Sequence, residues 1–117
     1  MKRILTIQDI SCLGKCSITI ALPVLSAMGI ETVILPTALL SNHTLFPEYT
    51  KMDLEEQMMP SALMWKKNGV RFDAIYTGYL GSVREIEKTA AIIDLFREED
   101  TLVFVDPVMG DNGKLYR

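Results

Sequence analysis

Apolar positions along the chain follow two rhythms in alternation. Residues 3–8 (Arg-Ile-Leu-Thr-Ile-Gln) form a short, mostly apolar run of strand type, and Thr32-Val-Ile-Leu-Pro36 repeats it with β-branched residues. Residues 72–77 (Phe-Asp-Ala-Ile-Tyr-Thr) and Thr101-Leu-Val-Phe-Val105 give a third and a fourth run. The last is apolar on both sides, the mark of a strand buried on both faces of a parallel sheet.

Between these runs the apolar spacing becomes helical. Ile18, Ala21, Leu22, Leu25 and Met28 share a face and end at Gly29, with Pro23 inside the window as an expected kink or late start. A second helix is expected from Asp53, with Glu56 at the capping-box spacing and Pro60 interrupting its middle, to about Lys67 before Asn68-Gly69. Ser82 with Glu85 predicts a third N-terminus, and Ile86, Ala90, Ile93 and Phe96 predict its buried face. The segment from Ala38 to Tyr49, rich in Ser, Asn, His, Thr and Pro, reads as a long lid or binding loop.

The order β-α-β-α-β-α-β implies a parallel, doubly wound (Rossmann-like) α/β sheet with flanking helices and right-handed crossovers. No helical pattern follows the fourth strand, so that strand's edge is expected to be exposed, and the alternation looks truncated there.

Composition narrows the functional classes. The chain has 117 residues, 49% hydrophobic and 23% charged, which suits one globular domain. A net charge of −3, with no basic stripe, gives no reason to expect nucleic acid. The N-terminal apolar run is too short for a signal peptide or a membrane span, so a cytoplasmic protein without membrane attachment is expected. Cys12 and Cys16 with one distant histidine, His43, lack the ligand number of a metal site and read as reduced thiols.

Ligands of open parallel sheets bind beyond the carboxyl ends of the strands. Here those ends carry Asp9-Ile-Ser11, Ser41-Asn-His-Thr44, Gly78-Tyr-Leu-Gly81 and Asp106-Pro-Val-Met-Gly-Asp111. Asp106 and Asp111 suit a hydrated divalent cation or a phosphate network, or else simply close a strand and form a turn. Tyr79 between two glycines suits stacking on a flat ring, or core packing at a strand-to-helix turn. His43 suits a contact to a ring substituent, or a bond to its own backbone. Gly14-Lys-Cys-Ser17 is not a phosphate loop, because the earlier glycine is missing and Cys16 follows the lysine. No G-x-G-x-x-G follows the first strand, which disfavours a dinucleotide oxidoreductase.

Ile7-Gln-Asp9, Ser41-Asn-His-Thr44, Thr77-Gly-Tyr79 and Asp106-Pro-Val-Met-Gly-Asp111, in this order, resemble the N-terminal portion of pyridoxal/pyridoxamine kinases of the ribokinase-like group, which includes hydroxymethylpyrimidine kinases. The resemblance covers essentially all 117 residues. It implies transfer of the ATP γ-phosphoryl group to the hydroxymethyl group of a B6 vitamer, by positioning and charge neutralisation. By the same resemblance Asp9, His43, Thr44 and Tyr79 line the pyridine pocket. The resemblance also implies that Asp106 and Asp111 serve the ATP phosphates with Mg2+ and a monovalent cation, and that the whole protein is a homodimer.

The sequence departs from that pattern at Asp9, where such kinases often have Ser, at Lys15-Cys16-Ser17 in place of a glycine-bearing segment, and at Leu45-Phe46. These leave a hydroxymethyl- or phosphomethylpyrimidine substrate open. The Gly-x-Gly-Asp motif that supplies the family's catalytic base does not occur in the chain. Residues 1–117 are therefore expected to be the N-terminal portion of one kinase domain, inactive in isolation. A non-catalytic ring-binding module, or one that pairs with another chain through the uncovered edge, is the competing expectation.

Overall fold

The computed structural model describes residues 2–107, 110, 111 and 113–115. Five strands make the main sheet: β1 (Arg3–Leu13), β2 (Glu31–Asn42), β3 (Lys51–Asp53), β4 (Ala74–Thr77) and β5 (Leu102–Val105), in spatial order β3-β2-β1-β4-β5. The helices are α1 (Ile18–Ala27), α2 (Glu55–Lys67) and α3 (Val83–Phe96). β6 (Gly110–Asp111) and β7 (Lys114–Leu115) pair as a separate antiparallel ribbon.

The expected alternation is present, with one addition. β1 pairs in parallel with β2 and β4, and β4 with β5, whereas β3 adds an antiparallel edge to β2. β3 lies where the sequence predicts only loop, because Lys51-Met52-Asp53 is too short to carry a recognisable strand pattern. Leu5, Ile7, Leu35 and Ile75 on one sheet face pack with Met58 and Ala62 of α2 and with Ile92 and Phe96 of α3. α1 packs on β1 and β2. β5 ends the sheet, and Leu102, Phe104 and Val105 are exposed along it, as the uncovered edge predicts.

Both proline expectations are corrected. Pro23 and Pro60 sit inside continuous helices. Each lies on an exposed position, where the missing N–H and the displaced carbonyl face water rather than core. The α2 cap is also displaced: Leu54 is the N-cap, and Asp53 Oδ1 accepts from Glu55 N at 2.8 Å instead of closing a box with Glu56.

The third helix is correctly bounded but rotated about its axis. Its buried stripe is Glu85, Thr89, Ile92 and Phe96, whereas Ile86 is 52% exposed. Apolar periodicity misassigns the phase because two of the four inward positions are polar.

β1 and β2 run much further than their apolar cores. β4 accompanies β1 only from Ile4↔Ala74 to Ile7↔Thr77, but β1 continues beside β2 to Leu13↔Asn42. A register irregularity between Gln8 and Ile10 accommodates Pro36, the partner of Gln8, at the kind of position where a strand tolerates a proline.

Candidate functional site

The strands end unequally, and that builds a recess at the carboxyl rim. Gly78 follows the last β4 pair and turns away, its N–H donating to Ile7 O at 3.0 Å. Asp106 follows β5 at the same level, its N–H donating to Thr77 O at 3.2 Å. Asp9 lies two residues past Ile7, where β1 has lost β4 as a neighbour. Ser17, the N-cap of α1, takes that vacated edge through an antiparallel bridge to Ile10. Asp9, Gly78-Tyr79 and Asp106 thus lie along the same rim, at three successive strands.

Asp9 is 9% exposed. Ser17 Oγ donates to its Oδ1 at 2.8 Å, and Ser11 Oγ makes a longer contact to Oδ2 at 3.4 Å. The Ser11 contact also places Asp9 and Ser11 on one face of β1, as alternate residues must be.

Gly78 is needed for packing. An ideal Cβ there would stand 2.7 Å from Cγ of the buried Gln8. Gln8 is itself fixed by donation from Nε2 to Thr6 Oγ1 at 2.8 Å. Tyr79 is exposed, its ring near Gly81.

Glu85 braces this loop from below. Its Oε2 accepts the Gly81 N–H, and its own N–H donates to Ser82 Oγ at 3.1 Å, a capping box whose acid arm reaches one residue further back. Burial holds the Glu85 carboxyl above the usual carboxylate range. The Gly81 N–H opposes that, Asp53 adds to it, Lys51 opposes it and Glu55 adds to it. Lys51, on β3, reaches this loop from across β2 and β1.

His43 and Thr44 stand apart from Asp9. They lie beyond the tip of the β1–β2 extension, roughly 13 Å along the strand from Asp9 at about 3.3 Å per residue. His43 N donates to Leu13 O at 3.1 Å, and its ring packs so closely over Gly14 that a side chain there would collide with it. His43 Nδ1 accepts from Leu45 N at 3.1 Å, which leaves the proton of the neutral ring on Nε2. Thr44 is exposed. Asn42 ties the loop base by donating to Glu48 O at 3.1 Å, and Ser41 and Thr50 close the loop. A shallow depression lined by Ser41, Asn42, Pro47, Glu48, Tyr49 and Thr50 lies on this loop, away from the recess.

Val108 and Met109 of the Asp-Pro-Val-Met-Gly-Asp segment lie outside the described residues. Asp111 is placed by its backbone in β6, ahead of a turn with Gly113 at φ 78°. Ser17, Lys51 and Glu85 escape a sequence reading of the site. Glu85 is visible there only as a capping residue, and Lys51 depends on a strand that leaves no pattern.

No family model matches the chain. A pyridoxal kinase from Arabidopsis thaliana is 30% identical over 97% of this chain and 38% of its own length. A Bacteroides thetaiotaomicron protein assigned as a phosphomethylpyrimidine kinase, crystallised with pyridoxal, is 49% identical with a TM-score of 0.93, over 98% of this chain and 40% of its own. A Leishmania donovani pyridoxal kinase in complex with ADP and pyridoxamine is 26% identical with a TM-score of 0.90, over 99% of this chain and 44% of its own. The chain therefore resembles the pyridoxal kinases and their ribokinase-like relatives over nearly its whole length, and spans about two fifths of theirs.

Proposed function

We propose that residues 1–117 supply the vitamin-ring side of a kinase that transfers the ATP γ-phosphoryl group to the hydroxymethyl group of a B6 vitamer. On this reading they are the N-terminal portion of one ribokinase-like domain of a cytoplasmic homodimer. Among the described residues no helix is long and apolar enough to cross a membrane. One observation carries the reading: Asp9, Gly78-Tyr79 and Asp106 share a single rim, Asp9 just past the point where β1 loses β4, Gly78-Tyr79 after β4 and Asp106 after β5. Pyridoxal in the Bacteroides neighbour and pyridoxamine with ADP in the Leishmania one support the choice of substrate and nucleotide.

In this assignment Asp9 and Tyr79 hold the ring, and His43 and Thr44 border it from the overhanging β1–β2 tip. Asp106 and Asp111 face the phosphates. Among the described residues no three His, Cys, Asp or Glu side chains gather into a protein-built metal cage. By the resemblance, Asp106 and Asp111 would hold Mg2+ together with waters and nucleotide oxygens, with a monovalent cation beside it. Such an ion supplies neutralisation of phosphate charge.

A pyrimidine substrate is the second reading, favoured by the assignment of the Bacteroides neighbour. Calorimetric titration of the 117-residue protein with pyridoxal, pyridoxine and 4-amino-5-hydroxymethyl-2-methylpyrimidine decides between them, alongside a coupled ADP-release assay. Saturable binding of a vitamer without ADP release is the expected result. Tighter binding of the aminopyrimidine would shift the assignment, and robust turnover would refute the absence of a catalytic base within these residues.

A further inference from the structure

We propose that Asp9, clamped by Ser17, is a specificity-determining residue that selects rings presenting an N–H donor: a pyridine protonated at nitrogen, or a pyrimidine carrying an amino group. This deepens the kinase reading above and rests on it for the identity of the rim as a ring site.

Three features lead there. Asp9 is a nearly buried carboxyl group, yet among the described residues no Lys, Arg or His lies within ion-pairing distance of it. Its two oxygens offer about four acceptor sites. One close hydroxyl donor and one distant one fill only part of that capacity. Buried carboxyl groups are ordinarily paired or well hydrogen-bonded, so the protein leaves acceptor capacity at the rim where ligands of this architecture bind.

Second, the clamp is built on an unfavourable backbone. Ser17 has φ 52° and ψ −127°, and among the described residues it alone combines a positive φ with a side chain. Glycine suits that conformation far better. A residue held in such a region persists only where its surroundings over-determine it, and such residues cluster at ligand sites. What serine offers there and glycine does not is the hydroxyl, which donates to Asp9 Oδ1 at 2.8 Å.

Third, the bridge from Ser17 to Ile10 occupies the β1 edge that β4 leaves. The carboxyl group is therefore fixed from the α1 side, next to the point where Gly78-Tyr79 turns away. A ring lying along Tyr79 with its edge toward β1 meets an acceptor-only group. A ring N–H or amino group complements it, whereas a bare ring nitrogen or carbonyl is repelled. A residue that only braced the α1 loop would leave ligand selection unchanged.

The test is calorimetric titration of the full 117-residue protein between pH 5 and 9 with pyridoxine, with the aminopyrimidine named above, and with 3-hydroxybenzyl alcohol as a ring lacking nitrogen. Pyridoxine is expected to bind at least tenfold more tightly than the nitrogen-free ring, weakening as pH rises through its ring-nitrogen titration. Asp9→Asn should lower that affinity about 10- to 100-fold, the range of a charge-assisted hydrogen bond, and flatten the pH profile. Ser17→Gly keeps a compatible backbone and should weaken binding several-fold. Unchanged affinity and pH profile in Asp9→Asn, or equal binding of the nitrogen-free ring to the parent protein, overturns the proposal. The second comparison needs no variant to fold. Asp9-dependent binding of the aminopyrimidine with no vitamer bound would sustain this proposal and defeat the vitamin reading. Failure of every ring at every pH would defeat both.

Discussion

Adding one methyl group at Gly78 should destabilise the protein by about 2–4 kcal/mol, through Gln8 alone. Gly78 is not among the positive-φ glycines, so alanine meets no backbone penalty there. The obstacle is steric: an ideal Cβ would stand 2.7 Å from Gln8 Cγ and 2.8 Å from its Cδ and Oε1. Optimal carbon–carbon separation is about 3.5–4.0 Å, so Gln8 must move by most of an ångström. It is 5% exposed and donates to Thr6 Oγ1 at 2.8 Å. Displacement therefore adds a lost hydrogen bond of about 1 kcal/mol to an overpacking cost of about 1–3 kcal/mol. Gln8→Ala removes the obstacle at a cost of its own, about 1–2 kcal/mol, from lost contacts and the orphaned Thr6 hydroxyl. The Gly78→Ala/Gln8→Ala double variant should then be less destabilised than the sum of the singles by at least about 1 kcal/mol. Urea denaturation followed by far-ultraviolet dichroism and by the fluorescence of Trp65, the single tryptophan, measures all four proteins. Additivity to within about 0.5 kcal/mol would show that the glycine serves something other than Gln8.

Two further outcomes test the base of the site. Glu85 has its folded pKa raised from the ordinary 4.5, chiefly by burial. The stability this contributes is present below 4.5 and is lost as pH rises through the folded value. Glu85→Gln still offers an oxygen to the Gly81 N–H and does not titrate. Its melting temperature relative to the parent should climb between pH 4 and 7, and a constant or falling difference would contradict a raised pKa. The rotation of α3 is checked by a pair of truncations. Ile92→Ala, at a fully buried position, should cost about 2–5 kcal/mol, whereas Ile86→Ala on the exposed face should cost under about 1 kcal/mol. Reversed values in urea titrations would restore the phase that simple apolar periodicity assigns.

The architecture was legible because its core obeys local rules. Leu5, Ile7, Leu35 and Ile75 sit in runs that announce buried strands, and Ser82 Oγ accepts from Glu85 N as its capping position predicts. Asp9, Gly78-Tyr79 and Asp106 were legible as rim residues because they directly follow those runs. What was not legible depends on pairing. Residues 9–13 and 37–42 look like turn and loop, yet they are strand, because Asp9, Ser11 and Ser17 satisfy one another across the extension and β3 pairs its outer edge. His43 therefore stands at the far tip instead of at the first turn of a loop, a displacement that no motif spacing encodes. Lys51 reaches the Gly81 loop only because β3 exists, and three residues of β3 carry no signal.

These departures have one physical cause. Below the level of Ile7 and Thr77 the space between sheet and helices is filled with Leu, Ile, Met and Phe. At and above it polar side chains join the buried set, with Gln8, Asp9, Ser11, Thr37, Thr77, Glu85 and Thr89 beside the apolar Ala38 and Leu40. Among the described residues the Thr77 and Thr89 hydroxyls are buried with no hydrogen-bond partner, and Glu85 is held protonated more readily than an ordinary carboxyl group. A layer of this kind costs stability relative to an apolar one of the same volume, since each imperfectly paired group forfeits solvation. Apolar periodicity fails at that layer, in α3 and in the strand extensions alike, and local rules tend to fail where a fold serves a ligand. The polar layer lies directly beneath the recess ringed by Asp9, Gly78-Tyr79 and Asp106. The place where the sequence pattern misleads and the place where a small polar ring would be held are therefore the same part of the molecule.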